Sequence, residues 1–190
     1  TTFKDGQTSM SIHVVQGERD IVSDCRSLAK FVVKDIPPML AGSARIKLEF
    51  QIDADGILNV TATETTTKKI TSIEVKPSYG LSDSQIELML KESFENAKED
   101  IVIRQLKESI VEAERVILSI DSALEIDGKQ LLDHDEYKEI CKARDDLKSK
   151  IKKNDRDLII SGVKNLEKVS EVYVSRRMNS NIQKIMKGID

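Results

Sequence analysis

Ile46-Lys47-Leu48-Glu49-Phe50-Gln51-Ile52-Asp53-Ala54-Asp55-Gly56-Ile57-Leu58-Asn59-Val60-Thr61-Ala62 is the stretch on which the fold turns. Ile46, Leu48, Phe50 and Ile52 alternate with Lys47, Glu49 and Gln51, the period of a half-buried strand. Asp53 to Gly56 supplies turn chemistry, with Gly56 free to take positive φ. Leu58, Val60 and Ala62 resume at period two, so the stretch predicts a β-hairpin. Working outward, Met10, Ile12 and Val14 alternate with Ser11 and His13, and Leu28 to Val33 is a second apolar, β-branched run. On the other side Thr65 to Lys69 reads as a polar turn, and Ile73 and Val75 close a further strand. This half predicts an antiparallel sheet or sandwich.

After Pro77 the period becomes helical. Ser82 can cap a free N–H, Gln85 can return the bond, and Leu81 can staple onto Ile86. Ile86, Met89, Leu90, Ala97 and Ile101 mark one apolar face, followed by Leu106, Ile110, Ala113, Ile117, Ile120 and Leu124. Gly128 alone interrupts this first helical region. Asp133 with Glu136 repeats the capping pattern and opens a second helix carrying Tyr137, Ile140, Cys141, Arg144 and Leu147. Asn154 or Asp155 starts a third, through Leu158, Val163, Leu166, Val169, Val172 and Tyr173, running towards Met186 and stopping at Gly188. Three such helices make an antiparallel bundle. The expected fold is α+β: an antiparallel β-sandwich subdomain over residues 1–78, then a helical-bundle subdomain over 79–190.

Composition narrows the function. A hydrophobic content of 39% can build a core, but 33% charged residues and no Trp keep it modest. A formal net charge of -3 argues against nucleic acid or an anionic membrane as partner. No apolar run approaches the roughly 20 residues that cross a bilayer, and no signal-peptide pattern appears. Cys25 and Cys141 lie far apart without a CxxC, as structural thiols of a reduced intracellular compartment would. The chain starts at Thr1 without an initiator Met, in what reads as a loop entering a strand, so a segment of a longer protein is expected.

The usual catalytic sets are not legible. There is no phosphate-cradling glycine loop and no glycine-flanked nucleophilic serine. His13 and His134 have no partner at ligand spacing. Asp53 and Asp55 suggest part of a calcium loop, but its other ligands are lacking and a plain turn explains them. Glu112 and Glu114 read as a solvated helix face. Neither metal nor catalysis is expected. Phe3 and Met10 flank Lys4-Asp5-Gly6-Gln7, either capping a core or offering an adaptable contact surface.

Ile12-His13-Val14 with Gln16-Gly17-Glu18-Arg19, then residues 50–62 and Gly80-Leu81-Ser82 opening the helices, resemble the seventy-kilodalton heat-shock chaperones over essentially the whole chain. Thr1 to Thr8, Asp24-Cys25-Arg26-Ser27-Leu28-Ala29, Val75 to Leu81, Arg176-Arg177-Met178 and Lys187-Gly188 are similar to the bacterial branch serving iron–sulfur cluster assembly. The resemblance implies a substrate-binding domain whose helical half is a lid, acting in the bacterial cytoplasm without catalysis of its own. It would hold the iron–sulfur scaffold protein by a Leu-Pro-Pro-Val-Lys segment. A J-type co-chaperone would work through the full-length protein, and ATP with magnesium would belong to a separate N-terminal domain. Met10, Ile12 and Ile46 would then form the apolar wall of a peptide groove, with Phe3 and Met10 arching over it. Main-chain bonds to an extended peptide and one apolar pocket suit such a ligand, and a proline-rich one is already nearly extended.

For the lid, the resemblance implies contacts through Arg19 with Asp100, and through Asp5 and Glu114. Ala41 stands where the general chaperones carry a loop arginine, and Leu118 where they carry a lid histidine. The family's first β-strands precede Thr1, which predicts a sheet edge open to pairing with a second copy. Ile36-Pro37-Pro38-Met39 is similar to the implied ligand and reads either as a proline turn or as a pseudo-substrate for a neighbouring molecule. Two other functions stay open: a general unfolded-protein binder, and an adaptor whose helical bundle is the partner surface.

Overall fold

The computed structural model describes residues 1–75 and 82–187. The subdomain boundary at Pro77, the Leu81 staple and the stop at Gly188 lie outside the described residues. The fold is α+β. Strands β1 (Met10–Gln16) and β2 (Arg26–Val33) pair antiparallel, Met10 opposite Val33 and Val14 opposite Ala29, with one irregularity between Val14 and Val15. Strands β3 (Ile46–Ile52), β4 (Leu58–Glu64) and β5 (Ile70–Val75) form a second antiparallel sheet in that order.

The β3–β4 hairpin is closed by one side chain. The Asp53 carboxylate accepts from the N–H groups of Asp55 and Ile57, at 3.0 and 2.8 Å, while Gly56 takes a φ of 76°. Only glycine does so without steric cost. Beyond β4, Glu64 is fully buried and its carboxylate accepts from the backbone N–H groups of Thr66 and Thr67. Those bonds hold its pKa down at about 2. The polar turn is legible in the sequence; the buried acid that organises it is not.

The helical half consists of α1 (Asp83–Ala123), a π turn (Leu124–Gly128), the short α2 (Lys129–Leu131), α3 (His134–Ile151) and α4 (Arg156–Lys187). Both predicted capping boxes form. Ser82 Oγ accepts from Gln85 N–H while Gln85 Oε1 accepts from Ser82 N–H, and Asp133 and Glu136 exchange the same bonds. Asp155, not Asn154, caps α4 by accepting from Leu158 N–H. Gly128 does not end the first helical region; a Cβ there would lie 3.1 Å from Leu124 and 3.3 Å from Tyr137, so it permits close packing inside a widened turn. No helix of the described residues is long and apolar enough to cross a membrane.

The chain forms two compact units, residues 1–104 and 105–190. In the second, Ala113, Ile117, Ile120 and Leu124 share a core with Ile140, Ala143 and Leu147 of α3 and with Ile159, Leu166 and Tyr173 of α4. Gly162 lets α3 and α4 approach, for a Cβ would meet Leu147 at 2.8 Å. Tyr173 donates its hydroxyl to Asp127 of the π turn, which also takes Arg177 at 2.8 Å. Burial and that bond push the Tyr173 phenol upward. Leu158 and Val172, read as core, are exposed. Ile159 takes the buried place at the start of α4, one residue on from Leu158.

Two further expectations are corrected. Strand β3 is not half-buried beyond Ile46: Phe50 is 61% and Ile52 71% exposed, because among the described residues its Ile46 end alone meets the apolar cluster of β1 and β2. The face Ile86, Leu90, Ala97 and Ile101 of α1 is exposed too. The turns of α1 up to Arg104 are held instead by polar side chains on a neighbouring face.

Candidate functional site

Strands β1 and β3 enter one apolar cluster from different sheets. Val33, Ile36, Ala44 and Ala62 are buried at its centre, and Met10, Ile12, Phe31, Met39 and Ile46 pack around them. Alternation explains the convergence: Met10 and Ile12 project from the same face of β1, and Ala62 lies two residues along β4 from Glu64, which faces Ile46 in the register. Ile36 is 1% exposed and Met39 packs on the same cluster, so these two side chains of the Ile36-Pro37-Pro38-Met39 segment serve the chain's own core. The segment is irregular backbone between β2 and β3, with Pro38 exposed.

Two loops border the cluster and are strapped together by backbone. Gly6 N–H donates to Met39 O and Gly42 N–H to Thr2 O, both at 2.9 Å, and Ile36 N–H donates to Thr8 O at 3.0 Å. Gln7 braces the first loop by accepting from Phe3 N–H and donating to Ser9 O. Asp5 accepts from the backbone N–H of Ala41 at 2.8 Å. Ala41 stands where the resemblance places an arginine, and here it meets Asp5 through its main chain. Phe3, on the braced loop, keeps 36% of its surface exposed. Among the described residues nothing hydrogen-bonds to the buried Thr2 Oγ1.

The second feature is a polar seam between residues 18–24 and α1. Arg19 donates twice to Asp100, Nε to Oδ2 at 2.6 Å and Nη2 to Oδ1 at 2.7 Å, and also meets Asp24 at 3.1 Å. Such paired planar contacts are the strongest form of charged hydrogen bond. Asp100 is only 3% exposed, and the Arg19 guanidinium holds its carboxyl below the usual range while Asp100 in turn raises Arg19. Ser93 Oγ donates to Glu18 O at 3.0 Å, and Arg104 pairs with Asp20 at 3.0 Å. Ser93, Asp100 and Arg104 are seven and four residues apart and so share one side of the helix. The loop that presents Arg19 is tightened by Gly17, whose missing Cβ would lie 2.9 Å from Cys25 Sγ, and by the Cys25 thiol donating to Arg19 O.

The structure therefore gathers Met10, Ile12 and Ile46 in one place and joins Arg19 to Asp100. Asp5 is engaged by Ala41, whereas Glu114 and Leu118 lie exposed on α1 in the other compact unit. Sequence reasoning missed Ser93, Asp24 and the Asp20–Arg104 pair. The charged run Glu18-Arg19-Asp20 set against polar residues at one-turn spacing was the available signal. Among the described residues no cluster of three His, Cys, Asp or Glu could hold a metal ion.

Comparison with known proteins places this geometry in context. A family model described as Hsp70 protein matches residues 1–179. The Chaperone protein HscA of Photorhabdus laumondii is 52% identical over 188 residues, covering 99% of this chain and 30% of that protein. The Chaperone protein HscA homologs of Neisseria meningitidis and Haemophilus influenzae are 51% and 50% identical over the same span. The chain thus spans about 30% of the length of the curated relatives it matches.

Proposed function

Because the chain belongs to the Hsp70 family, we propose that it is the peptide-holding part of a chaperone, of the bacterial branch that serves iron–sulfur cluster assembly. The observation that supports this best is the meeting of Met10, Ile12 and Ile46 on one apolar cluster, beside two strapped loops that carry an exposed Phe3. An extended Leu-Pro-Pro-Val-Lys segment of the scaffold protein is the proposed ligand. Its central apolar side chain would contact this wall while its backbone pairs with strand-edge groups. Phe3 and Met10 are the proposed arch, and the Arg19–Asp100 seam, with Asp5 and Glu114, the proposed lid contacts. Binding and release would follow ATP hydrolysis with magnesium and a J-type co-chaperone in the longer protein of the bacterial cytoplasm.

The test is a fluorescence-anisotropy titration with a labelled peptide containing Leu-Pro-Pro-Val-Lys beside a scrambled one. Saturable binding of the first alone is expected, weakened by Phe3→Ala. Equal binding of both peptides would replace the scaffold-specific reading with a general unfolded-protein binder. No binding by this chain or by an N-terminally extended one would overturn the reading. A second function is favoured by a groove of about 580 Å³ between α1 and α4, lined by Val116, Ile120, Lys164 and Val174. If residues 82–190 alone held the scaffold protein, the bundle would be its adaptor surface.

A further inference from the structure

Three peptide bonds of this chain join an aspartate to a glycine: Asp5–Gly6, Asp55–Gly56 and Asp127–Gly128. Such a bond can rearrange without an enzyme. The glycine amide nitrogen attacks the carboxyl carbon of the aspartate side chain, a C–N bond forms, and the carboxyl OH leaves as water with the amide proton. A water molecule then opens the five-membered imide at either carbonyl. One opening restores aspartate; the other leaves isoaspartate, in which the main chain runs through the side chain. Glycine favours the reaction because no Cβ hinders the approach and its backbone adapts to the ring. Closure requires both reacting groups to be free and brought together.

Two of the three bonds do not meet that requirement. Asp5 commits its carboxylate to Ala41 N–H at 2.8 Å, and Gly6 N–H is held by Met39 O at 2.9 Å. Asp127 takes the Tyr173 hydroxyl and Arg177, and it lies inside the π turn, next to a Gly128 with helical dihedrals of -54° and -43°. Asp55 differs. It is exposed, no donor among the described residues meets its carboxylate, and the space over Gly56 is open. Its restraint comes from the turn. Asp53 Oδ1 accepts from Asp55 N–H and Ile57 N–H, at 3.0 and 2.8 Å, and Gly56 N–H donates to Asp53 O at 3.1 Å. Breaking that last bond frees the nucleophile, and the two bonds to the Asp53 carboxylate resist the opening.

We infer that Asp55–Gly56 is the site of spontaneous isoaspartate formation in the folded chain, with Asp53 as its brake. Local opening of the turn sets the rate. The product carries one more backbone carbon between Asp53 and Ile57, which moves Ile57 N–H off the Asp53 carboxylate and loosens the hairpin where Ile52 faces Leu58. It also presents a free α-carboxylate, the group that an isoaspartyl methyltransferase esterifies with S-adenosylmethionine.

The test incubates the full chain in water enriched in heavy oxygen. Peptide mass spectrometry then shows which aspartates gain a heavy oxygen atom, and methylation by an isoaspartyl methyltransferase scores the product. In the folded chain, labelling at Asp55 is expected to exceed that at Asp5 and Asp127 by about tenfold or more, and urea should bring the three rates together. Asp53→Ala, with its fold checked by circular dichroism, should speed the Asp55 reaction about fivefold, the factor one net hydrogen bond carries. Asp55→Glu, which would need a larger ring, should abolish methylation at this turn. Equal labelling of all three bonds in the folded chain, or none at Asp55, overturns the inference. An Asp53→Ala rate equal to the parent's removes Asp53 as the brake.

Discussion

Single side chains carry several of the contacts that shape this chain. Glu64 is a buried acid stabilised by the amide groups of Thr66 and Thr67, which hold its pKa at about 2. Its folded pKa lies below the ordinary value near 4.3. Its contribution is therefore full above that ordinary value and is lost as pH falls through the folded pKa. Glu64→Gln should lower the thermal midpoint at neutral pH, and the gap to the parent should close as the pH approaches 2. A gap that persists into strong acid would mean the carboxylate charge is not what the turn uses. Gly17 presents a steric case. Gly17→Val places a branched side chain against Cys25 and Arg19 O, and overpacking of this kind costs about 1–3 kcal/mol in urea unfolding. Both effects depend on contacts too local for hydrophobic periodicity to register.

Elements differ in what fastens them. Helix α3 begins at a complete capping box, so Asp133→Ala should cost about 1 kcal/mol by chemical denaturation, with the loss confined to that end of the helix. Helix α4 is tied to the π turn by Tyr173 and Arg177, both on Asp127. Removing the hydroxyl in Tyr173→Phe takes one bond from a half-buried carboxylate and should cost about 1.5–3 kcal/mol. An unchanged midpoint would show that the hydroxyl is dispensable to this tie. Helix α1 has two characters along its length. From Leu106 onward its period of three and four is a true core face, and the sequence reads it correctly. Before Arg104 the same period marks an exposed stripe, with Phe94 82% exposed, because Ser93, Asp100 and Arg104 do the anchoring. Periodicity reports that a helix has an apolar side; it cannot report whether anything covers it.

Across the whole molecule, stability should be uneven. The core around Leu147, Ile159 and Leu166 is fully buried, while residues 83–104 meet the β-half through the exposed Arg104–Asp20 pair and the Arg19–Asp100 pair, whose carboxylate is buried. Hydrogen exchange should therefore be slowest in α3 and the middle of α4, and fastest in the first turns of α1. Replacing Asp100 by Asn should speed exchange in residues 83–104 and leave the α3–α4 core unaltered. Equal acceleration in both places would mean that the seam supports the fold at large.

The sequence by itself determined the α+β class, the β3–β4 hairpin, the two capping boxes and the apolar face of the bundle. Each rests on neighbours within about four positions, where backbone geometry and side-chain period act directly. Tertiary structure alone decided that β3 and the start of α1 keep their apolar faces in solvent, and that Ile36 is core. It also decided that Gly128 packs where a break was expected. Arg19 and Asp100 stand 81 positions apart, so only resemblance could name them as a pair, and only folding could set their two-bond geometry and add Asp24. Burial and long-range pairing are properties of what the chain brings to each residue, and a local pattern holds no record of it.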